Sequence, residues 1–232
     1  MRRLEVIAVE GLPEVRPGDR LAALLAATAD LADGDVVVVT QKVVSKAEGR
    51  MVAVDPNDPA AYAAVIERES VRVLRRRDDL VISETAGGFV CANAGVDRSN
   101  VPHGFVTLLP LDADRSARSI RDGLRFAPGV DVAVIVSDTF GRTWRNGVTD
   151  VAIGCAGIGA VVDLRGTPDA MGRVLDATEV AVADELAGAA ELVMGKSSGV
   201  PAAIVRGVDP SWLRPGSVRS QMVRHPSGDL FR

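Results

Sequence analysis

The sequence predicts an α+β protein with a mixed sheet. Apolar runs of strand length and segments with helical periodicity both occur, without the regular strand–helix–strand rhythm of a parallel α/β fold. No segment repeats at a period of about 20–50 residues. The chain has 232 residues, of which 47% are hydrophobic, which is enough for one domain with a sizeable core. We therefore predict a single domain over residues 1–232, with 209–232 as a lid, a partner-binding arm or a flexible tail.

The strands are predicted from short runs that are either aliphatic or alternating. They cover residues 4–9, 36–39, 80–83, 89–92, 106–109, 132–136 and 202–205, and residues 151–162 form a strand pair or one glycine-rich strand. Residues 36–39 and 132–136 are wholly aliphatic, which predicts strands buried on both faces. We expect the second of these to end at Val136 and the polar residues after it to form a loop.

The helices are predicted from apolar side chains at helical spacing. The first lies between Asp19, a candidate N-cap, and Gly34, which ends it. The others cover residues 60–77, 116–124 and 177–194. The basic end of the second, residues 75–77, is expected to be solvated and favoured by the helix dipole, and anion binding is the alternative.

Composition and charge exclude several classes of function. A net charge of −4 argues against nucleic-acid binding, which needs a basic face. The longest nearly apolar run, 151–162, is broken by glycine and too short to cross a bilayer, and no signal peptide is recognisable. We expect a soluble, cytoplasmic protein with no membrane partner. Two isolated cysteines, Cys91 and Cys155, are expected to be buried free thiols.

Common nucleotide-binding and nucleophile motifs are absent. Neither G-x-x-x-x-G-K-[ST] nor G-x-G-x-x-G after a strand occurs, and G-x-S-x-G is missing. The segment "MGKSSG" at 194–199 has the Gly-Lys-Ser order without the upstream glycine, so a helix C-cap with a solvated lysine is an alternative. The histidines, His103 and His225, are expected in loops, where a proton-transfer role competes with an ordinary loop position.

Two polar segments follow predicted strands early in the chain. In "TQKVVSKAEGR", Thr40, Lys42 and Lys46 lie just beyond the strand 36–39, which suits an anion site better than a core position, and a solvated basic loop is the alternative. In "AGVDRSN", Asp97 and Asn100 lie in a turn of small residues. An Asx-turn would account for either residue without any function.

A third polar segment, "VSDTFGRTWRNGVTD" at 136–150, carries the most varied chemistry. Asp138, with a hydroxyl or carbonyl from Thr139, is suited to Mg²⁺ or Mn²⁺. Arg142 and Arg145 are suited to phosphate or carboxylate groups. Together with Asp97, the lysines and the loop at 195–196, these groups suit phosphoryl transfer, in which a protein positions reactants and neutralises developing charge.

Five blocks of the sequence resemble the coenzyme F-420-0:L-glutamate ligase family, in order from about residue 5 to 206. They are "GLPEVRPGD", "VVVVTQKVVSKAEGR", "AGVDRSN", "SDTFGRTWRNGVTDVAIGCAG" and "VADELAGAAELVMGK". The resemblance implies an α+β fold without a Walker loop that forms an intertwined homodimer with sites near the subunit interface. It also implies a GTP-dependent ligase that adds L-glutamate to the deazaflavin precursor coenzyme F-420-0 through an acyl phosphate, with later glutamates γ-linked. The implied cations are Mg²⁺ or Mn²⁺, and K⁺ is a further candidate.

The resemblance also implies roles for particular residues. The positions that match the family's metal ligands are Asp97, Asp138 and Thr139. Those that match its nucleotide contacts are Leu12, Pro13, Glu14, Val15, Gln41, Lys46, Asn100, Met194, Gly195, Lys196, Ser197, Ser198, Gly199, Val200 and Pro201. The assignment of Arg142, Arg145 and Asn146 to substrate phosphate or carboxylate rests on their chemistry alone.

Lys196 departs from the family pattern, because some relatives carry a glutamine there that helps to hold a second metal. A charged ammonium cannot ligate a metal, so we expect Lys196 to contact phosphate. Two other functions are open: an amide ligase for another carboxylate metabolite, and a non-catalytic domain that binds GTP or a deazaflavin.

Overall fold

The structure, a computed structural model, describes residues 3–231. The strands are β1 (Glu5–Ala8), β2 (Val36–Thr40), β3 (Met51–Ala53), β4 (Ser70–Arg77), β5 (Leu80–Thr85), β6 (Val90–Ala92), β7 (Phe105–Thr107), β8 (Ala133–Arg142), β9 (Arg145–Ala156), β10 (Val162–Asp163), β11 (Glu179–Val180) and β12 (Ala202–Arg206). The helices are α1 (Leu21–Thr28), α2 (Gln41–Ala47), α3 (Pro59–Glu69), α4 (Ala113–Phe126), α5 (Val182–Met194) and α6 (Val218–Gln221). Short 3-10 turns lie at Asn93–Gly95, Pro210–Trp212 and Pro226–Gly228.

A five-stranded sheet in the order β1-β12-β2-β8-β9 organises the molecule. Strands β2 and β8 run parallel, while the other neighbours in this sheet are antiparallel. The predicted α+β class with a mixed sheet is therefore confirmed. No helix between residues 3 and 231 is long and apolar enough to cross a membrane.

Both faces of the central sheet are covered. Val37 of β2 packs on one face with α1 and α4, whereas Val36 and Val38 pack on the other face with α5. All three valines are 0% exposed, which confirms the prediction of a strand buried on both sides. This burial fixes the register, because a shift of one residue would exchange the two faces.

A smaller region carries the three-stranded sheet β4-β5-β6, the strand pair β3–β7 and helix α3. Its core contains Val65, Ile66, Val81, Val106 and Leu108. The segment that contains Asp97 is held beside β7 of this strand pair, since Asp97 and Thr107 exchange backbone hydrogen bonds of 3.0 and 2.9 Å.

The predicted helix over 60–77 is wrong in its second half. Helix α3 ends at Glu69, where Ser70 turns to extended backbone and its hydroxyl donates to the Ile66 carbonyl at 2.7 Å. From Ser70 onward the chain is β4, paired with β5. Apolar residues alternate with arginines here, and β-branched Val71 and Val73 favour a strand. The basic residues 75–77 thus lie in an edge strand and not at a helix end.

The polar segment after Val136 is also not a loop. Strand β8 continues to Arg142 and returns at Arg145 as β9, so that this segment forms an antiparallel hairpin. The hairpin runs past the buried layers, and its strands become exposed toward the tip. A strand that is exposed on both faces needs no alternation of apolar and polar residues. The polar sequence after Val136 therefore led to the prediction of a loop.

Other helix boundaries also differ from those predicted, including the end of α1, which lies at Thr28 and not at Gly34. Helix α1 spans Leu21–Thr28 with Arg20 at the N-cap, since the Asp19 carboxylate instead accepts a 2.7 Å bond from the Arg16 amide. Helix α5 begins at Val182, because the residues before it form β11, which pairs with β10.

The start of the C-terminal segment is fixed by the buried carboxylate of Asp114. This carboxylate accepts hydrogen bonds from the Ser217 hydroxyl at 2.7 Å and from the amides of Val218 and Cys155 at 2.9 and 2.8 Å. It caps α6 and ties that helix to β9. The lid or tail suggested for 209–232 stays a prediction.

Both cysteines are buried free thiols, as predicted. The pKa of each thiol is raised to about 12, mainly by burial and also by a nearby carboxylate, Asp138 for Cys91 and Asp114 for Cys155.

Candidate functional site

A cleft of about 350 Å³ lies where the parallel pairing of β2 with β8 ends, at Thr40 and Ser137. The start of β12 borders it, because β12 runs antiparallel to β2. The lining residues are Leu12, Pro13, Glu14, Val15, Thr40, Lys42, Val43, Lys46, Asn100, Ser137, Asp138, Thr139, Asp150, Glu191, Met194, Gly195, Lys196, Gly199, Val200 and Pro201. All four polar segments singled out in the sequence therefore contribute to one site.

The chain contains three lysines, Lys42, Lys46 and Lys196, and all three line this cleft. The remaining basic side chains, among 27 Lys and Arg in total, are arginines. A lysine ammonium is a compact point charge on a flexible stem and commonly binds phosphate. The restriction of lysine to the cleft is a signal that the sequence carries, but it has meaning only once the three positions are known to converge.

Lys42 links β2 to the segment that contains Asp97. It lies in the first turn of α2, and its Nζ is 2.7 Å from Asp97 Oδ2. The Ser99 amide donates to Asp97 Oδ1 at 2.7 Å, so the predicted Asx-turn is also present. Burial would raise the pKa of Asp97, but the hydrogen bonds from Lys42 and Ser99 and the charge of Lys42 together lower it. Asp97 is therefore held as a carboxylate beside the cleft.

Asp138 is a carboxyl group in an unfavourable electrostatic position. Its pKa is raised to about 7, mainly by burial and to a smaller extent by the carboxylates of Asp97 and Asp150, against the opposing effects of Lys42 and of a backbone hydrogen bond at Thr139. The three acidic groups therefore share one electrostatic environment. A desolvated carboxylate with acidic neighbours is suited to a cation, because a bound cation offsets all of these charges.

Thr139 lies at the centre of a polar chain across the hairpin. Its hydroxyl donates to Asp150 Oδ1 at 2.5 Å and accepts from the Lys196 ammonium. The Ser137 hydroxyl donates to Asp150 Oδ2 at 2.9 Å. Since a hydroxyl oxygen has two lone pairs, Thr139 keeps one for a cation or a substrate. Asp150 is only 3% exposed and holds both hydroxyls.

Residues 12–15 and the loop after α5 also line the cleft. Lys46 Nζ lies 2.6 Å from Glu14 Oε1, and the Asn100 side-chain amide donates to the Lys196 carbonyl at 3.3 Å. Gly195 is the C-cap of α5 with φ of 59°, so the C-cap interpretation of this segment is correct, and it coexists with a position in the cleft.

Some residues matched to nucleotide contacts do not line the cleft. Ser197 and Ser198 lie in the same loop but outside the lining, and the Ser198 hydroxyl donates to the Met194 carbonyl. Gln41 is 1% exposed, and both polar atoms of its side chain are without a hydrogen-bond partner. Such an orphaned amide carries a cost, and Gln41 directly follows Thr40, which lines the cleft. The nucleotide roles of these three residues stay predictions.

Arg142, Arg145 and Asn146 are not in the cleft either. They lie at the exposed tip of the β8–β9 hairpin, where Arg142 Nη2 donates to the Asn146 carbonyl at 2.9 Å. His103 and His225 are exposed and are also outside the cleft.

The site offers few protein ligands for a metal. Across residues 3–231 no group of three or more His, Cys, Asp or Glu is arranged to hold a metal ion. The two carboxylates, Asp97 and Asp138, together with the Thr139 hydroxyl, are compatible with Mg²⁺ or Mn²⁺, which commonly take one or two carboxylates and fill other positions with water and phosphate oxygens.

Sequence reasoning gave no role to Asp150, Ser137 or Glu191, which also line the cleft. Asp150 lies opposite Thr139 in the register of the hairpin. That relationship is not readable from the sequence unless the hairpin is first recognised.

The fold and the cleft define a class: an α+β protein with a lysine- and carboxylate-lined site at the edge of a mixed sheet, suited to phosphate groups and a divalent cation. Residues 11–207 match the sequence model of the family described as F420-0:Gamma-glutamyl ligase. The chain belongs to this family.

Relatives from three archaea match over the whole chain, and each is named Coenzyme F420:L-glutamate ligase. The Methanopyrus kandleri protein is 46% identical, with 100% of both chains covered. The Methanothermobacter thermautotrophicus protein is 42% identical over 99% of both chains. The Haloarcula marismortui protein is 43% identical, over 99% of this chain and 96% of the relative.

Proposed function

We propose that this protein is a GTP-dependent ligase that joins L-glutamate to coenzyme F-420-0 by an amide bond. The reaction would pass through an acyl phosphate formed on the acceptor carboxylate, and further glutamates would be γ-linked. The names of the family and of its relatives support the ligation of glutamate. The observation that carries the nucleotide part is the convergence of all three lysines with Asp138 and Thr139 in one cleft.

The cleft residues have distinct parts in this proposal. Lys42, Lys46 and Lys196 neutralise phosphate oxygens, as phosphoryl transfer requires when charge develops on the transferred group. Asp97, Asp138 and Thr139 hold Mg²⁺ or Mn²⁺. When bound, that cation supplies charge neutralisation at the phosphates.

The supporting residues fix this arrangement before substrates bind. The Asp150 carboxylate accepts a hydrogen bond from the Thr139 hydroxyl, and this bond fixes the direction of the free lone pair on the Thr139 oxygen. Lys42 keeps Asp97 ionised, which preserves one carboxylate for the cation. Preorganised groups of this kind lower the barrier because they need no rearrangement as charge develops.

We further propose that the chain acts as a homodimer, following the family resemblance. The test is the mass in solution by light scattering, for which we expect about twice the 24.3 kDa of one chain. A mass of one chain at the concentrations used for activity assays would contradict the dimer. It would not bear on the ligase proposal, which has a separate test.

The ligase proposal is tested by phosphate release from GTP with Mg²⁺ or Mn²⁺, with L-glutamate and F-420-0 supplied together and each omitted in turn. We expect release to depend on both. Release that is unchanged when F-420-0 is omitted would contradict the proposal, and binding of GTP with no release under any condition would indicate a non-catalytic domain.

A further inference from the structure

The tip of the β8–β9 hairpin combines cationic and aromatic side chains at the end of the strand that carries Asp138. Arg142 and Arg145 are cross-strand partners that close the hairpin, and Trp144 lies in the turn between them. Arg142 is three residues beyond Thr139, which is about 10 Å along a strand. The tip is therefore within reach of an extended molecule whose reacting end lies in the cleft.

The two arginines form an unfavourable pair. Like charges directly opposite each other in an antiparallel ladder are destabilising, and neither guanidinium forms an ion pair with any residue from 3 to 231. In β4, by contrast, Arg72 lies opposite Glu84 and pairs with it at 3.1 Å. An anion between Arg142 and Arg145 would remove the repulsion, and guanidinium groups bind phosphate and carboxylate in bidentate fashion.

Trp144 is a large aromatic side chain left in solvent. It is 82% exposed, in a chain with only two tryptophans and 3% aromatic residues. Tryptophan offers a flat face that stacks on aromatic rings. Together with the two arginines that flank this turn, it provides the means to hold a flat ring that carries an anionic substituent.

We propose that Arg142, Arg145 and Trp144 form the acceptor-binding subsite of the ligase, a position that rests on the proposed function. The ring of the deazaflavin stacks on Trp144, and an anionic group of the acceptor between that ring and the reacting carboxylate pairs with the two guanidiniums. The hairpin thus aligns the acceptor along β8, with its terminal carboxylate at Asp138 and Thr139. No bond is made or broken at the tip, which acts by positioning.

Steady-state kinetics of Arg142→Gln and Arg145→Gln provide the first test. We expect the KM for F-420-0 to rise about tenfold or more, as for the loss of a hydrogen bond to a charged group, with the KM for GTP changed less than about twofold. The matched control is Arg77→Gln, an exposed arginine of β4, which should leave both constants unchanged. An unaltered KM for F-420-0 in both tip variants would overturn the proposal.

Variants of the tryptophan separate stacking from charge. Trp144→Ala should raise the KM for F-420-0, and Trp144→Phe, which keeps a ring, should restore most of the loss. Phe126→Ala removes another exposed aromatic side chain, 91% exposed at the end of α4, and should have no effect. Equal defects in Trp144→Ala and Trp144→Phe would contradict a stacking role.

Fluorescence gives a readout that does not depend on turnover. Trp212→Phe leaves Trp144 as the only tryptophan, and F-420-0 added with a non-hydrolysable GTP analogue should then quench its emission in a saturable way. Absence of quenching at acceptor concentrations that saturate turnover would overturn the proposal.

Two further outcomes distinguish this proposal from its alternatives. If Trp144→Ala lowers the mass in solution together with all activity, the tip is a contact between subunits and the acceptor subsite is refuted. If the wild-type chain does not use F-420-0 at all, the proposed function itself is refuted. If wild type turns over F-420-0 normally and the tip variants have the same KM for it, only the acceptor subsite is refuted.

Discussion

Thr139 and Asp150 lie directly opposite each other in the β8–β9 hairpin, and the threonine hydroxyl donates to the buried carboxylate. The same carboxylate accepts from Ser137. This cross-strand relationship fixes the orientation of a hydroxyl that also contacts Lys196. It joins the predicted metal position, the predicted phosphate-binding loop and the central sheet in one hydrogen-bonded unit.

Asp150→Ala should reduce both stability and activity. The change leaves the Ser137 and Thr139 hydroxyls without their acceptor inside a buried site, which costs about 1–3 kcal/mol. We expect a lower midpoint of thermal unfolding and a fall of about tenfold or more in kcat, measured by calorimetry and phosphate release. For Asp150→Asn, which keeps one acceptor oxygen, both the unfolding midpoint and kcat should lie between those of wild type and Asp150→Ala. Wild-type kcat in folded Asp150→Ala would show that the Thr139 orientation is unimportant.

Asp138→Asn should remove turnover while it stabilises the metal-free protein at high pH. Because the folded pKa of Asp138, about 7, lies above the ordinary value, protonation favours the folded state. That stabilisation is present at acidic pH and is lost as the pH rises through about 7. In the presence of a chelator, the unfolding midpoint of Asp138→Asn should therefore exceed that of wild type at pH 8, by about 2–4 °C for each kcal/mol, and exceed it by a clearly smaller margin at pH 5, since the stabilisation is complete only below the ordinary aspartate pKa of about 4. A difference of the same size at both pH values would contradict the raised pKa.

Amine acetylation should inactivate the protein selectively. All three lysines line the cleft, so a lysine-directed reagent modifies side chains only there. We expect loss of phosphate release in proportion to modification, and protection by GTP with Mg²⁺. Peptide mass spectrometry then identifies which lysine GTP shields. Full activity after complete acetylation would refute the assignment of the lysines to phosphate.

Cys91 and Cys155 should resist alkylation in the folded protein. Each is buried, and burial raises both thiol pKa values to about 12, whereas the thiolate is the reactive form. Iodoacetamide at pH 8 should therefore modify neither cysteine in the native state and both after unfolding, as counted by mass spectrometry. Rapid labelling of native protein would show that one of these regions opens.

The sequence predicted correctly those elements whose local pattern of residues is compatible with only one secondary structure. Residues 36–39 are aliphatic on both faces, and only a fully buried strand satisfies that pattern. Residues 70–77 carry two valines, a leucine and four arginines after a helix, and there the pairing with β5 decides between helix and strand. That pairing is tertiary information, which local periodicity does not contain.

The sequence also predicted part of the site, namely the residues that lie in its motif blocks. Motif blocks located Asp138, Thr139, Lys46 and Lys196, and the cleft contains them. The role of Asp150 depends on hairpin register, and that of Lys42 depends on a contact with Asp97, which lies far along the chain. Neither relationship follows from spacing, because each is created when separate segments pack together.

The most direct test of the central claim is mass spectrometry of the products formed from F-420-0, L-glutamate and GTP with Mn²⁺ over time. The proposed function predicts an acceptor whose mass rises by successive glutamyl units, with GDP and phosphate released in step and no product from Asp138→Asn. An acceptor of unchanged mass after GTP has been consumed, or glutamyl product formed equally well without GTP, would contradict it.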